Sequence, residues 1–144
     1  MAKNYDEVSI LLVEDDDIDA MAVERGVRKL KLANPIHRVK NGLEALDKLR
    51  NNALQPPYII LLDLNMPIMG GLEFLQILRE DAELKGSVVF VLTTSAADED
   101  RAAAYNENIA GYIVKSDVKE GIHQVVNMLD CYWRVVLLPR ENRP

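Results

Sequence analysis

Residues 58–67, Tyr-Ile-Ile-Leu-Leu-Asp-Leu-Asn-Met-Pro, form the stretch that decides the fold. The residues before Asp63 are all hydrophobic, with no alternation of polar positions. Such an uninterrupted run is typical of a strand buried on both faces, as in a parallel sheet covered by helices. The run ends abruptly in a carboxylate. We therefore predict a buried parallel strand with an acidic side chain, Asp63, at its carboxyl end.

Further runs of the same kind lie on either side of this stretch, at residues 10–13, 88–92 and 112–114. Residues 35–39 are a weaker candidate, because a proline and mixed polarity suit an edge strand. Between the runs, apolar residues recur at helical spacing. They are Ala20, Val23, Val27, Leu30, then Leu43, Leu46, Leu49, then Leu72, Leu75, Leu78, and finally Ile122, Val125, Val126 and Leu129. A strand followed by a helix, five times over, predicts a doubly wound α/β domain.

Helix start signals accompany most of these segments. Asp16 or Asp17 can cap the first helix and Asn41 the second. By the same rule, Asp98 would cap the fourth helix and Ser116 or Asp117 the fifth. Residues 98–109 are helix-prone but have a weak apolar stripe, so we expect this helix to pack loosely.

Size and composition limit what the protein does. A chain of 144 residues fits one compact domain, which we place at residues 8–130, with a tail at 1–7 and an extension at 131–144. The net charge of −6 argues against nonspecific nucleic-acid binding. Because no apolar run approaches the ~20 residues that span a bilayer, and no signal peptide is seen, we expect a cytoplasmic protein without a membrane partner. The single cysteine, Cys131, agrees with a reducing compartment.

Chemically active side chains follow the predicted strands. Glu14 and Asp15 follow the first, Asp63 the third, Thr93 ends the fourth and Lys115 follows the fifth. Ligands of such folds bind beyond the carboxyl ends of the strands, so these side chains should converge. Crowded carboxylates need a cation, and Mg²⁺ prefers oxygen ligands. Asp15, Asp63 and one backbone carbonyl would leave coordination positions free for phosphate oxygens.

This arrangement suggests phosphoryl chemistry. An aspartate carboxylate can attack phosphorus to form an aspartyl phosphate. A metal ion and Lys115 would then neutralise the transferred oxygens. The Thr93 hydroxyl can donate to a phosphoryl oxygen only if it lies within ~3 Å of it, which would couple phosphorylation to a conformational switch.

The sequence resembles the CheY-like receiver domains of two-component response regulators over roughly residues 8 to 130. The matching motifs are Val13-Glu14-Asp15-Asp16, Leu62-Asp63-Leu64-Asn65-Met66-Pro67 with Gly71, Leu92-Thr93-Thr94-Ser95 and Tyr112-Ile113-Val114-Lys115. The resemblance implies a flavodoxin-like five-stranded parallel sheet of order 2-1-3-4-5 with helices on both faces. It also implies a single-domain signalling protein that takes a phosphoryl group from a sensor histidine kinase. Such a protein catalyses only its own phosphorylation and dephosphorylation.

The resemblance assigns a role to each matching residue. Asp63 would accept the phosphoryl group, Asp15 would bind Mg²⁺ directly, Glu14 would bind it through water, and Asn65 would supply its backbone carbonyl. Lys115 would contact the phosphoryl group.

Two further pairs of positions follow from the same resemblance. Thr93 and Tyr112 would be the coupled switch residues; the alternative for Tyr112 is a role only in core packing. Asn65 and Ser95 would tune the lifetime of the phosphoryl bond.

Local features also resemble the small regulators paired with bacterial phytochrome histidine kinases. These features are Asn34-Pro35-Ile36-His37, Leu92-Thr93-Thr94-Ser95, Lys115-Ser116 and the apolar C-terminus. Two positions depart from the common receiver pattern. Gly70 stands where an aspartate is common, and Ser116 replaces a proline, so a cis peptide after Lys115 would lose its usual low cost.

The C-terminal extension is more apolar than a domain tail. Its apolar side chains are Tyr132, Trp133, Val135, Val136, Leu137 and Leu138. Exposed, they would mark an interaction site. They either continue the last helix and fold back on their own domain, or dock on a second copy to form a symmetric homodimer.

Three other functions remain as alternatives. A metal-dependent phosphohydrolase or nuclease would need a general base or a second metal, for which the sequence offers no clear residue. A flavin-binding carrier would want a hydroxyl- or glycine-rich loop after the first strand, where this chain has acids. The third is an interaction module that works without phosphate.

Overall fold

The computed structural model describes residues 8–118 and 121–139. Its strands are β1 (Ser9–Val13), β2 (Ile36–Val39), β3 (Tyr58–Leu62), β4 (Val88–Thr93) and β5 (Gly111–Val114). The helices are α1 (Asp17–Lys29), α2 (Gly42–Arg50), α3 (Gly71–Glu80), α4 (Asp98–Asn106) and α5 (Ile122–Val135). All the strand pairs are parallel, in the order β2-β1-β3-β4-β5. The predicted fold and strand order are confirmed, and β2 lies at an edge as expected.

The sheet has a hydrophobic core on each face. Successive residues of a strand point to opposite faces, so Ile60 and Leu62 pack with α2, α3 and α4, while Ile59 and Leu61 pack with α1 and α5. This two-sided burial explains the uninterrupted apolar run of β3. β5 was expected to be buried as deeply, and that expectation is wrong. It is only half-buried because it forms the other edge of the sheet, and α4 buries only Ala104.

The helix starts agree with the sequence in two cases and differ in two. Asp16 accepts a hydrogen bond from the amide of Asp19, and Asn41 accepts one from Glu44, as predicted. α4 instead begins after Ala97, which places Asp98 inside its first turn. Ser116 and Asp117 lie in a short 3₁₀ turn that continues directly from β5, so neither residue caps α5. α5 begins after Gly121, whose φ of 84° is readily available to glycine.

α5 continues past residue 130 to Val135 and buries part of the predicted docking surface. Trp133 is only 2% exposed, and its indole N–H donates to Asp130 Oδ1 at 3.1 Å. The ring of Tyr132 packs edge-on against Phe90, with 5.0 Å between ring centroids. Of the two alternatives for the extension, Trp133 follows the first, and its assignment to a surface for a second copy is corrected because its own domain covers it. Tyr132 is only partly buried by its own domain.

The rest of the extension is more open. Val135 and Leu137 are 79% and 80% exposed, Val136 is 37% exposed, and Leu138 packs partly against the α1/α5 core. The predicted tail at residues 1–7 and the last residues, 140–144, lie outside the described residues. Within residues 8–118 and 121–139, no helix is long and apolar enough to cross a membrane.

Candidate functional site

The carboxyl ends of the strands surround an open pocket of about 620 Å³. It is lined by Asp15, Asp16, Asp17, Ile18, Asp19, Asp63, Asn65, Thr94 and Lys115. The loop after β1 and the first turn of α1 supply most of these side chains, while the loops after β3, β4 and β5 supply the rest. The predicted convergence of acids and a lysine at this edge is therefore present.

Asp63 is buried at the floor of this pocket. Its Oδ1 accepts hydrogen bonds from the Thr93 hydroxyl at 2.9 Å and from the amide of Asn65 at 3.2 Å. Its Oδ2 lies 3.6 Å from Lys115 Nζ. α3 packs tightly behind it, because a Cβ on Gly71 would lie 2.6 Å from the Asp63 carbonyl oxygen. The two carboxylate oxygens thus have different surroundings, one held by donors and one facing the lysine.

Three carboxylates lie together beside Lys115. Glu14, Asp15 and Asp63 each offer an oxygen within 4.8 Å of the others. Glu14 and Asp63 are buried, whereas Asp15 is exposed to the pocket. Carboxylate oxygens at this spacing are suitable ligands for a hard divalent cation. The residues therefore fit the predicted metal site.

The charges of this cluster do not balance. Burial raises the pKa of Glu14 to about 7, although its contact with Lys115 acts in the opposite direction. Burial by itself lowers the pKa of Lys115, but hydrogen bonds to Asp19 and Glu14 and the charge of Asp63 raise it above its ordinary value. Both pKa shifts favour the protonated forms of Glu14 and Lys115. The cluster thus has an excess of negative charge that a cation would offset.

The raised pKa of Glu14 predicts a pH-dependent stability in metal-free solution. The folded protein holds this proton up to about pH 7, whereas the unfolded chain releases it near the ordinary value of 4.5. Glu14 therefore contributes stability that is fully present below pH 4.5 and lost as the pH rises to about 7. The free energy of unfolding of wild type relative to Glu14→Gln should fall over this window by about 3 kcal/mol. Urea denaturation of both proteins measures this difference, and a constant difference would contradict the prediction.

The predicted switch residues are linked through Ser95. Its amide donates to Thr93 Oγ1 at 3.4 Å, and its carbonyl accepts from the Tyr112 hydroxyl at 2.9 Å. The Ser95 hydroxyl donates to Asp100 in the first turn of α4 at 2.6 Å. Ser95 therefore connects Thr93, beside the pocket, to α4. Burial raises the pKa of Tyr112, so its hydroxyl keeps its proton and serves as a donor at neutral pH.

Three residues of this region were not predicted as site residues. Asp19 contacts Lys115 at 2.7 Å, Thr94 lines the pocket, and Arg38 donates from Nε to the Glu14 carbonyl at 3.0 Å. Arg38 Nη1 also lies 2.8 Å from Asp17 Oδ1, and this ion pair connects β2 to the first turn of α1. The acidic residues that follow β1 indicate that Asp19 lies near the site. No sequence pattern pairs it with the lysine that follows β5, because the two are far apart in the chain.

The Lys115–Ser116 peptide is not cis. Among residues 8–118 and 121–139, the cis bond is the one between Pro56 and Pro57. Lys115 nevertheless reaches the carboxylates.

Comparison with known proteins identifies the class. Residues 10–127 match the response regulator receiver domain family, and the chain belongs to that family. It is therefore a response regulator, a signalling protein of the kind that accepts a phosphoryl group on an aspartate from a histidine kinase.

The relatives include particular regulators. The chain is 31% identical to the response regulator Rcp1 of Synechocystis sp., covering 90% of this chain and 92% of Rcp1. The structure of Mn²⁺-bound Rcp1 has a TM-score of 0.80 and covers 92% and 98% of the two chains. The phosphorylated cyanobacterial phytochrome response regulator RcpA has 32% identity and a TM-score of 0.81, over 91% and 97%. A probable methanogenesis regulatory protein, FilR2 of Methanothrix harundinacea, is 34% identical over 89% and 84%.

Proposed function

We propose that Asp63 is the phosphoacceptor and that the reaction depends on Mg²⁺. The observation that carries this proposal is the environment of the Asp63 carboxylate. One oxygen is held by Thr93 and Asn65, and the other faces Lys115 at 3.6 Å beside Glu14 and Asp15. A carboxylate is well placed to attack phosphorus when hydrogen bonds fix one of its oxygens and the other oxygen lies near a cation.

Mg²⁺ would be held by Asp15 and Asp63, by Glu14 through water, and by the backbone carbonyl of Asn65. When bound, it would neutralise charge on the oxygens of the transferring group. The negative excess of the acidic cluster supports this choice, as does the Mn²⁺ bound in the structure of the relative Rcp1.

The covalent step forms one bond and breaks one. An oxygen of Asp63 attacks phosphorus, and the bond between phosphorus and the donor breaks with its electron pair leaving on the donor group. When the donor is a phosphohistidine of a kinase, the leaving group is the imidazole. When the donor is acetyl phosphate, the leaving group is acetate. Lys115 would stabilise the negative oxygens of the phosphoryl group, and water would later hydrolyse the aspartyl phosphate.

Thr93 and Tyr112 would transmit phosphorylation to α4. The Thr93 hydroxyl now donates to Asp63 and would turn to a phosphoryl oxygen. Because Ser95 touches Thr93, Tyr112 and Asp100, movement of this loop would reach the first turn of α4. α4 buries only Ala104, so little packing opposes its displacement.

Asn65 and Ser95 would set the lifetime of the phosphoryl group. Asn65 is exposed and lines the pocket, where its side chain can meet an attacking water. The Ser95 hydroxyl is engaged by Asp100, so its effect would act through the position of the loop.

The kinase that donates the phosphoryl group is proposed to be of the phytochrome type. The support is the similarity to RcpA, a phytochrome response regulator, together with the motifs named above. Phosphotransfer from a purified bacterial phytochrome kinase, compared with transfer from an unrelated kinase, would test this proposal.

Wild-type protein incubated with acetyl phosphate and Mg²⁺ is expected to gain one phosphoryl group by intact mass spectrometry. Addition of EDTA should prevent the gain, because the uncompensated acids repel the donor anion. Turnover of an external phosphoester without a labelled intermediate would favour the phosphohydrolase instead. No labelling under any condition would favour the interaction module.

We further propose that the exposed end of the chain forms a homodimer. Val135 and Leu137 are the support, because both are about four-fifths exposed just after the buried part of α5. A Val135→Asp, Leu137→Asp variant is expected to reduce the mass seen by light scattering from dimer to monomer. Leu43→Asp, at an exposed leucine of α2, is the control and should leave the mass unchanged. A monomeric wild type, or a variant that stays dimeric, would contradict the proposal.

A further inference from the structure

The Lys115 ammonium lies closer to Glu14 and Asp19 than to Asp63. Its ammonium lies 2.6 Å from Glu14 Oε1 and 2.7 Å from Asp19 Oδ2, which are short charge-assisted hydrogen bonds. The distance to Asp63 Oδ2 is 3.6 Å, beyond ordinary hydrogen-bond range. The lysine therefore binds two other carboxylates more closely than it binds the predicted phosphoacceptor.

Asp19 is one of the residues that line the pocket. It lies in the first turn of α1, where its amide donates to the capping side chain of Asp16 at 3.0 Å. Its side chain is 39% exposed, so it contacts the lysine from the open side of the pocket, whereas Glu14 contacts it from the interior. An anionic group added to Asp63 would occupy this same open side.

We propose that Asp19 is a positioning residue that competes with the phosphoryl group for Lys115. This inference rests on the proposed function. When the phosphoryl group arrives, one of its oxygens takes the lysine donor that Asp19 holds in the resting protein. Glu14 keeps its contact throughout, because its buried side chain lies against the lysine on the inner side of the pocket. The Asp19 contact thus stabilises the unphosphorylated form and lowers the affinity of the site for an anion.

Beryllofluoride, a stable mimic of the phosphoryl group, is the probe for this competition. At saturating Mg²⁺, Asp19→Asn should bind it roughly two- to fivefold more tightly than wild type, the effect expected of one partly exposed ion pair. ¹⁹F NMR distinguishes the bound from the free form and gives the affinity by titration. Asp16→Asn is the matched control, because it removes a neighbouring charge from the same pocket while asparagine still caps α1. Its effect should be smaller.

A double-mutant cycle separates positioning from general electrostatics. In a Lys115→Gln background, Asp19→Asn should no longer change the affinity if it acts through the lysine. An effect that persists there, an effect equal to that of Asp16→Asn, or weaker binding by Asp19→Asn would overturn the inference. If wild type itself binds no beryllofluoride, it is the proposed function that fails. Thermal unfolding of each variant confirms that it is folded.

Discussion

An Asp63→Asn variant is expected to gain no phosphoryl group from acetyl phosphate and Mg²⁺, under conditions that label the wild type fully. The amide of asparagine is a poor nucleophile, and it has lost the charge that would help hold Mg²⁺. The fold should remain, because an amide oxygen can still accept from Thr93 and Asn65. Intact mass spectrometry of both proteins checks the result.

The same substitution should raise the melting temperature in metal-free buffer. It removes one of two buried carboxylates that share a single lysine, and so relieves their repulsion. Asp47→Asn, on the exposed side of α2, is the control for loss of a charge and should be labelled like wild type. A labelled Asp63→Asn protein would place the phosphoacceptor elsewhere.

The second large effect is expected for Trp133→Ala, which should lower the free energy of unfolding by about 3–5 kcal/mol. Trp133 is 2% exposed and packs in the α1/α5 core, so the substitution leaves a cavity beside Leu129 and Val126. A loss of this size is a large part of the total stability of a typical domain. Urea denaturation monitored by circular dichroism measures it.

Leu137→Ala is the matched comparison from the same segment. Because Leu137 is 80% exposed, its loss should change the free energy of unfolding by less than about 0.5 kcal/mol. A small effect of Trp133→Ala combined with a change in oligomeric state would instead mean that the indole lies between two copies.

Much of the fold was predictable because burial leaves a simple mark on a sequence. The apolar run of β3 indicated a strand covered on both faces, and the proline and mixed polarity before Val39 indicated an edge. The weak stripe of α4 indicated loose packing, and only Ala104 is buried there. The half-burial of β5 was missed because its three apolar residues look like those of a central strand. Only the layout of the whole sheet shows that β5 has a single neighbour.

The C-terminal part of α5 also leaves a mark on the sequence. Trp133 continues the helical spacing of Val126 and Leu129, so its burial could have been predicted from the periodicity. Val135 and Leu137 are just as apolar but fall on the open side. Composition does not distinguish these two side chains from Trp133.

The candidate site likewise has some features that the sequence predicts and others that only the tertiary structure decides. By itself, the sequence determined which elements form and that Glu14, Asp15, Asp63, Thr93 and Lys115 follow or end strands, because local hydrophobic patterns and the rules for parallel sheets fix those positions. The tertiary structure alone decided which oxygen of Asp63 is held, and that Lys115 pairs with Glu14 and Asp19 in preference to Asp63. Hydrogen bonds and ion pairs depend on distances of a few tenths of an ångström between residues far apart in the chain. Those distances exist only once the sheet and helices have packed.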